Sequence, residues 1–435
     1  MTQQHPVRSE GRNQRSRQAV IRLLRERGTL SRAEIARAVG LSPSTVSALV
    51  GALVAEGTVL ELGDQLPPAG GRAGRPGTAV MLNPAGGEAI GVDFGYRHVH
   101  VVIADVTHAV QIALSAPLPA DYDASLGLDT AAELVRAAVN DAGTDPTRIL
   151  GVGVSLPGAY NPHTALPNAG LPSTWSGIPV TAELSRRLDL PVVADNDANL
   201  GALAERQWGA GAGFDELVYV KLHSTVGAAF ISNGRLTRGV AGGAGEIGHL
   251  VMDANGPLCR CGNRGCLESY VGLPNLMRAL EPGYGDRITL RDVITKAWQG
   301  DRGCIRALSE AGKTAGRAVG MLCTVLNPAA VVVGGALAQA GELLLNPLRE
   351  SAQAASLPPA GTSLRILSAA LGEQACALGA VALVLGQAGQ AAAQASQTGQ
   401  VGHVPGQAAG RLDGQAPGAQ EAERGGQMPV PSTAG

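Results

Sequence analysis

The sequence predicts an α/β protein with three parts: a small helical head, a two-lobed α/β body and a disordered C-terminal tail. Residues 13–82 hold short helical patterns with turn signals between them. Residues 88–388 hold strands and helices that recur in two similar series. Residues 389–435 repeat Gly, Gln, Ala and Pro without apolar periodicity, so they cannot bury enough surface to offset their chain entropy.

Composition and charge limit the classes of function. The chain has 435 residues, of which 45% are hydrophobic, and this is ample for more than one core. The net charge is −2, but residues 1–82 carry eleven arginines and six acids, which leaves +5 on the head and −7 on the remainder. A basic head on an acidic body indicates that the head binds a polyanion.

The head has the element order of a helix-turn-helix module. Residues 17–27 predict an amphipathic helix, and Ser31 with Glu34 forms the serine and acid pattern that begins a second helix. Gly40 ends that helix, and Pro43 lies in the first turn of a third helix. Three helices with a glycine-containing turn between the second and third are typical of DNA-binding domains.

Two surfaces of the head are candidates for contact with DNA. The recognition helix would present four hydroxyl side chains to the major groove, namely Ser42, Ser44, Thr45 and Ser47. Residues 59–62 and 78–82 predict the two strands of a wing. The loop between them carries Arg72 and Arg75, which suit a narrow minor groove. The alternative is a three-helix module that binds another protein and exposes a basic face.

The body is predicted as two related α/β halves with a cleft between them. Residues 89–114 predict three successive strands, and a helix near 128–140 and a buried strand at 149–155 follow. A similar order begins again at Leu217 and includes a buried strand at 330–333. Such a repeat usually forms two lobes that face each other.

One histidine and three cysteines lie within 18 residues and predict a structural zinc site. These residues are His249, Cys259, Cys261 and Cys266. Four nitrogen and sulfur ligands suit tetrahedral Zn²⁺, and Gly262 and Gly265 allow tight turns between them. No signal peptide or apolar membrane span is evident, so we expect a cytoplasmic protein with reduced thiols and no membrane contact. The alternative is a disulfide with one spare thiol.

A closed site with four protein ligands leaves no position for a catalytic water, so the metal would brace the loop 249–266. Two acids, Glu246 and Glu268, flank the ligands. Together, the Glu246-Ile-Gly-His249 run and the following Cys259-x-Cys-Gly-x-x-Gly-Cys-x-Glu268 run resemble the signature of the ROK family of bacterial sugar kinases and sugar-responsive repressors. The resemblance covers most of residues 13–388. It implies a two-lobed actin-like ATPase fold of the RNase H-like type, and a DNA-binding head distinguishes the family's repressors from its plain kinases.

The resemblance also implies a sugar site in the cleft. Asp197 matches the general base of the family kinases, which accepts the proton of the attacking sugar hydroxyl, and Asn196 matches a sugar-hydroxyl ligand. Glu246, His249 and Glu268 match positions that contact the sugar, and His249 matches a residue that also binds zinc. Taken alone, an Asn-Asp pair at a helix start is more often a helix cap.

The phosphate-binding turns depart from the family pattern. The family kinases carry Asp-x-Gly-Gly-Thr in the first turn, where this chain has Asp93-Phe94-Gly95-Tyr96-Arg97. The second turn, usually Gly-Thr-Gly, matches His223-Ser224-Thr225. Larger side chains thus replace glycines whose N–H groups would close on phosphate oxygens, which argues against ATP and Mg²⁺ as cofactors. A direct pair between Arg97 and the phosphate oxygens would instead favour ATP binding.

Three hypotheses of function follow. The favoured one is a sugar-responsive transcriptional regulator, a repressor of carbohydrate genes, that binds operator DNA as a homodimer or higher homo-oligomer and takes a small sugar as effector. The second is an active ATP-dependent hexose or N-acetylhexosamine kinase with Asp197 as general base. The third is a metal-stabilised binding protein without a DNA role, which leaves the basic head unexplained.

Overall fold

A computed structural model describes most of the head and nearly all of the body. The described residues are 16–17, 19–24, 27–62, 78–119, 122–161, 164, 166–167, 175, 177–357 and 364–399. Among them, no single helix has both the length and the apolar composition that crossing a membrane requires.

The head is a winged helix-turn-helix, as predicted. Helical residues 19–24 are followed by β1 (Leu30–Ser31), α1 (Arg32–Val39), α2 (Pro43–Ala55), β2 (Val59–Leu62) and β3 (Ala79–Leu82). Ser31 and Glu34 form a capping box at the start of α1, and Gly40 ends that helix in the left-handed region at φ 67°. The chain direction changes by 116° between α1 and α2, which is the usual angle of this motif.

An apolar core holds the three helices against the wing sheet. Its fully buried members come from the three helices and from β2 and β3, and they include Val20, Ile35, Val46, Leu53 and Val80. The sheet has the order β1-β3-β2 and is antiparallel throughout. The two wing strands lie where the sequence predicted them, and the short β1 adds a third.

The first lobe of the body contains a five-stranded sheet. Its strands are β4 (Glu88–Phe94), β5 (His98–Asp105), β6 (Val110–Pro117), β7 (Ile149–Leu156) and β10 (Val192–Asn196). A small hairpin of β8 (Tyr160–Asn161) and β9 (Leu166–Pro167) precedes β10. The helices that cover one face of the sheet are α3 (Ala124–Ala142) and α4 (Val180–Leu188). The apolar runs of β4 and β7 are buried because helices cover the sheet on both faces.

The second lobe repeats this plan. Its strands are β11 (Leu217–Leu222), β12 (Val226–Ser232), β13 (Arg235–Thr237), β14 (Ala330–Gly334) and β15 (Arg365–Ser368). Its helices are α6 (Glu268–Val271), α7 (Leu273–Tyr284), α8 (Leu290–Trp298), α9 (Arg302–Leu326) and α10 (Glu342–Ala355). The sheet orders are β6-β5-β4-β7-β10 and β13-β12-β11-β14-β15. Each sheet joins a three-stranded antiparallel meander to two further strands that run parallel to its first strand, β4 or β11. This confirms the predicted repeat.

Two long helices connect the lobes. Helix α5 (Asp197–Trp208) follows β10 and contacts β11 and β12 of the second sheet, while α11 (Ala375–Gly399) returns to the first sheet and packs on α5, β4 and β7. The sequence predicted a disordered tail from residue 389, but α11 continues to Gly399 because its Ala- and Gln-rich sequence favours helix. The rest of that predicted tail, 400–435, lies outside the described residues.

Helices α9 and α10 approach each other closely. Gly312, Gly316 and Gly320 are spaced by four residues on α9 and face α10. A Cβ atom at any of the three would lie only 2.3 to 2.7 Å from a backbone carbonyl oxygen of α10. The absence of side chains on this stripe therefore sets the distance between the two helices.

The connection between head and body is short and hydrogen-bonded. Five residues, 83–87, separate β3 from β4. The Asn83 amide donates from Nδ2 to the Gly57 carbonyl at 2.8 Å, and the Val106 N–H donates to the Gly87 carbonyl at 3.2 Å. The link is therefore attached to both units.

Candidate functional site

A cleft of about 900 Å³ lies between the two lobes. Both sheets contribute to its walls through the turns that follow β4, β11 and β14, and the cysteine-containing loop closes one side. The polar residues that line it include Asp93, His98, Asp197, Lys221, His223 and Glu268. Cleft walls of this kind, with several titratable groups, are typical of small-molecule sites.

The start of α5 brings Asp197 into the cleft. Asn196 caps the helix, because its Oδ1 accepts from the N–H groups of Ala198 at 2.8 Å and Asn199 at 3.2 Å. Its Nδ2 donates to the Gly158 carbonyl at 2.7 Å. Asn196 is absent from the residues that line the cleft. The structure therefore shows the helix-capping role that the sequence analysis gave as the alternative to a sugar contact. Asp197, the next residue, is buried and lines the cleft.

Lys221 is the functional candidate that sequence reasoning missed. It lies on β11, and its Nζ donates to Oδ2 of Asp197 in an ion pair inside the cleft. Burial opposes the charged ammonium, but Asp197, Cys376 and Asp93 outweigh it, so the pKa of Lys221 is raised above its ordinary value. The available signal was a lone charged residue in the otherwise apolar strand Leu217–Leu222.

Side chains occupy the first phosphate-type turn. His98 Nε2 lies 3.8 Å from Oδ2 of Asp93, and a Cβ atom on Gly95 would lie 2.1 Å from the same His98 nitrogen. The Tyr122 hydroxyl donates to the Gly95 carbonyl at 2.9 Å. Burial raises the pKa of Asp93, but hydrogen bonds from His98 and Ser155 outweigh burial and leave that pKa below its ordinary value.

The four predicted metal ligands come together. The donor atoms of His249, Cys259, Cys261 and Cys266 all lie within 4.8 Å of one another. His249 Nδ1 is 3.7 Å from Cys259 Sγ, and the sulfurs of Cys261 and Cys266 are 3.6 Å apart. Ligand atoms of tetrahedral zinc–thiolate sites are separated by about 3.8 Å, so one nitrogen and three sulfurs fit such an ion.

The backbone conformation of this loop requires glycine at two positions. Gly262 and Gly265 have φ of 91° and 62°, in the region that side chains disfavour. A Cβ on Gly265 would lie 1.6 Å from the Asp253 carbonyl oxygen. The tight turns predicted from the sequence are therefore present.

Glu268 connects the cysteine loop to the cleft wall. Its Oε1 accepts from Arg260 Nε at 2.7 Å, and its Oε2 accepts from the Val226 N–H at 3.0 Å. Both Glu268 and Arg260 line the cleft. Glu246 lies near them: burial, and then the neighbouring charges of Asp197 and Glu268, raise its pKa, although His249 acts in the opposite direction. Of the two predicted acids, Glu268 lines the cleft, whereas neither Glu246 nor His249 is among the lining residues.

The head presents its predicted hydroxyl cluster at the surface. Ser42, Ser44, Thr45 and Ser47 are all exposed at the start of α2. Ser42 caps the helix, with its Oγ accepting from the Thr45 N–H at 3.2 Å. Arg32, which the sequence interpretation did not single out, donates to the Ser47 carbonyl at 3.0 Å and pairs with Glu61 of the wing. Arg72 and Arg75 lie outside the described residues.

Comparisons with known proteins match both units. The winged helix-turn-helix DNA-binding family matches residues 14–59, and the ROK family matches residues 89–387. The chain is 29% identical over 359 residues to the xylose repressor of Bacillus subtilis (strain 168), which covers 82% of this chain and 91% of that protein. It is 31% identical over 251 residues to the glucokinase of Thermotoga maritima, covering 54% of this chain and 78% of that enzyme.

A solved structure agrees with the arrangement of the parts. The crystal structure of a ROK family transcriptional regulator, a homolog of the Escherichia coli MLC protein, matches with a TM-score of 0.70 and 22% identity, over 86% of this chain and 97% of that one. The fold is thus shared across head and body. Because the family matches 299 consecutive positions, well over half of the sequence, the chain belongs to the ROK family.

Proposed function

We propose that this protein is a sugar-responsive DNA-binding transcriptional regulator that represses carbohydrate genes. The proposal rests on one observation: a short connection joins an exposed helix-turn-helix to a cleft that is lined by Asp197 and Glu268. The xylose repressor of Bacillus subtilis is similar across both units, which supports a small sugar as effector. The sugar would change DNA affinity only by binding two states of the protein unequally.

Several features of the cleft argue against phosphoryl transfer. A general base must accept the proton of the attacking hydroxyl, whereas Asp197 is held in an ion pair by Lys221. His98 and Tyr96 stand at the first turn and His223 at the second, where backbone N–H groups would otherwise surround phosphates. The cleft therefore suits binding better than transfer.

The second candidate function is an ATP-dependent sugar kinase, favoured by the similarity to the Thermotoga maritima glucokinase. ADP release, measured with Mg²⁺-ATP and a panel of hexoses and N-acetylhexosamines, separates the two candidates. A regulator gives no sugar-dependent release above background. Sugar-dependent turnover at about 1 to 100 per second would establish the kinase instead.

The sugar would be held by carboxylates around the cleft. Asp197 and Glu268 would accept hydrogen bonds from sugar hydroxyls, and Glu246 would support them from behind. His249 would connect the sugar side to the metal. Asn196 would act through the helix start that it caps, so its contribution to sugar affinity is indirect.

The cluster of His249, Cys259, Cys261 and Cys266 would hold one structural Zn²⁺. When bound, the ion would supply a fixed tetrahedral centre for the loop and no catalytic chemistry. The loop would then hold Arg260 against Glu268 at the cleft wall. Elemental analysis of the purified chain is expected to give about one zinc per chain. Removing zinc with a chelator should abolish sugar binding while sugar-free operator binding is retained, and unchanged sugar binding would contradict this role.

The head would contact both grooves of operator DNA. Ser42, Ser44, Thr45 and Ser47 would enter the major groove, and Arg72 and Arg75 would reach the minor groove. A homodimer would set two such heads against a pseudo-palindromic operator in the cytoplasm. Binding should weaken steeply with salt because arginine contacts to phosphate release counterions.

A mobility-shift titration tests the proposal most directly. The probe is the DNA upstream of the chain's own gene, titrated with and without D-xylose, D-glucose and N-acetyl-D-glucosamine. The wild type should shift its affinity with at least one sugar. Asp197→Ala should lose that response and keep its sugar-free affinity within about twofold, since the head lies outside the cleft.

The matched control is Asp286→Ala, which removes an exposed carboxylate outside the cleft and should retain the full sugar response. A folded Asp197→Ala protein that no longer binds DNA would refute the separation of head and cleft. A wild type that binds its upstream DNA equally with and without all three sugars would refute the sugar response.

A further inference from the structure

The ion pair between Lys221 and Asp197 has a free side that faces the cleft. The two side chains retain 14% and 8% of their exposure, and both line the cleft. Lys221 has three N–H donors, and the pair with Oδ2 of Asp197 uses one. Among the described residues, no hydrogen bond of Asp197 Oδ1 appears, so an acceptor and two donors stand side by side.

The chemical partner of such a pair is a hydroxyl group. A hydroxyl both donates and accepts, so one sugar O–H can donate to the Asp197 carboxylate while its oxygen accepts from the Lys221 ammonium. Both contacts involve a charged group in a largely desolvated place, where hydrogen bonds are stronger than in water. An ether, a fluorine or a hydrogen at the same carbon would satisfy at most one side.

Lys221 cannot turn away at low cost. Its side chain extends from the end of β11, and an ammonium moved from Asp197 would lose the charges that stabilise it within the buried strand. Cys376 further fixes the place, since its Sγ donates to the Asp197 carbonyl at 3.5 Å. The two charged groups are therefore pre-organised before any ligand arrives.

We propose that Lys221 is a specificity-determining residue for the effector, and that it reads one sugar hydroxyl together with Asp197. This assignment rests on the proposed sugar-binding function. The pair requires a hydroxyl at one ring or chain position and holds it as an alcohol, because the carboxylate stays neutralised by the ammonium. Asp197 would therefore recognise the sugar hydroxyl, whereas the general base of a kinase would remove its proton.

Calorimetric titration of the full zinc-loaded chain tests the assignment. The probes are D-glucose, its 2-, 3-, 4- and 6-deoxy derivatives, D-xylose and N-acetyl-D-glucosamine. In the wild type, one deoxy position should weaken binding about 10- to 100-fold, the loss expected when a charged group loses its hydrogen-bond partner. In Lys221→Met, the parent sugar should bind more weakly than it does to the wild type, and the ratio of the two dissociation constants should fall well below the wild-type ratio.

Two further variants serve as controls for this experiment. Lys296→Met removes an exposed lysine on α8 and should preserve the wild-type ratio. If Lys221→Met fails to fold because Asp197 loses its partner, the double variant Lys221→Met with Asp197→Asn removes both charges and should also discriminate less than the wild type. Sugar binding with wild-type discrimination in Lys221→Met would overturn this assignment alone. Absence of binding by every sugar to the wild type would overturn the proposed function and this assignment together.

Discussion

His223 begins the turn between β11 and β12, and the cleft partly buries its imidazole. Burial, reinforced by the nearby Lys221 cation, lowers the pKa of His223 to about 4. The ring is therefore neutral at pH 7, with Nδ1 at 3.0 Å from the Ser224 hydroxyl. A neutral imidazole adds no positive charge at the place where a nucleotide's phosphates would bind.

This depressed pKa predicts a loss of stability in mild acid. The unfolded histidine protonates near pH 6.5, while the folded one stays neutral until about pH 4, so protons favour the unfolded state as the pH falls between these values. Between pH 7.5 and 5 the loss from this residue is about 2 kcal/mol. Urea unfolding of His223→Gln should show a pH dependence smaller by this amount, and an identical slope in both proteins would contradict it.

Single residues differed in how far the sequence could predict them. The cluster of candidate metal ligands was predictable because His249, Cys259, Cys261 and Cys266 are close in the chain and their chemistry allows few uses. The Lys221 pair was missed because it joins residues 24 positions apart on different elements. The sequence of a strand does not indicate which helix start the last side chains of that strand will contact.

At the scale of elements, the contact between α9 and α10 depends on the glycine stripe described above. Gly316 is its middle member, and a Cβ there would lie 2.3 Å from the Leu348 carbonyl oxygen. Glycine is a poor helix former, so its presence on a 25-residue helix indicates a packing requirement. The sequence predicted that helices recur in this half of the body, but it could not identify the glycines as contacts, because the partner helix follows only after β14.

Gly316→Ala should destabilise the second lobe by about 1 to 3 kcal/mol, since the added methyl group must push the two helices apart. The matched control is Gly283→Ala on α7 of the same lobe, where an added Cβ meets nothing within 4 Å. That variant should be neutral or stabilised by up to about 1 kcal/mol, because alanine favours helix. Urea unfolding of both variants measures the difference, and an equal change in both would refute close packing as the cause.

At the scale of the whole molecule, an ion-pair cluster connects the head to the body at the far end of α5. Asp215 accepts at Oδ1 from Arg206, in the last turn of α5, at 2.8 Å and from Arg22 of the head at 3.2 Å. The opposite end of the same helix begins with Asp197 in the cleft. A movement of α5 on sugar binding would therefore reach the head directly.

Arg22→Gln should reduce the sugar response of operator binding. An exposed ion pair contributes at most about 1 kcal/mol, so the ratio of operator affinities with and without sugar should fall by up to about fivefold. Arg27→Gln is the matched control, because it removes the same charge from an exposed position of the head. It should change both affinities equally and leave the ratio unchanged. Mobility-shift titrations measure the ratio, and a wild-type ratio in Arg22→Gln would exclude this route.

The overall architecture followed from the sequence because strand patterns repeat in order, and each repeat buries its own sheet. The positions of the linking helices did not follow. Helix α11 leaves the second lobe and packs on β4 and β7, and Glu205 of α5 accepts from the Ala370 and Leu371 N–H groups 165 and 166 positions later. Such contacts arise from the assembled lobes and leave no local pattern.

The five-residue connection at 83–87 has a consequence for the energetics of operator binding. A DNA-binding head on a flexible connection would lose orientational entropy each time it bound the double helix. Both heads of the proposed dimer would lose it. With Asn83 and Gly87 already hydrogen-bonded, that entropy is lost when the chain folds. In the proposed dimer, lengthening the connection with glycine and serine would therefore weaken the cooperation between half-sites even though every contact to the bases remained intact.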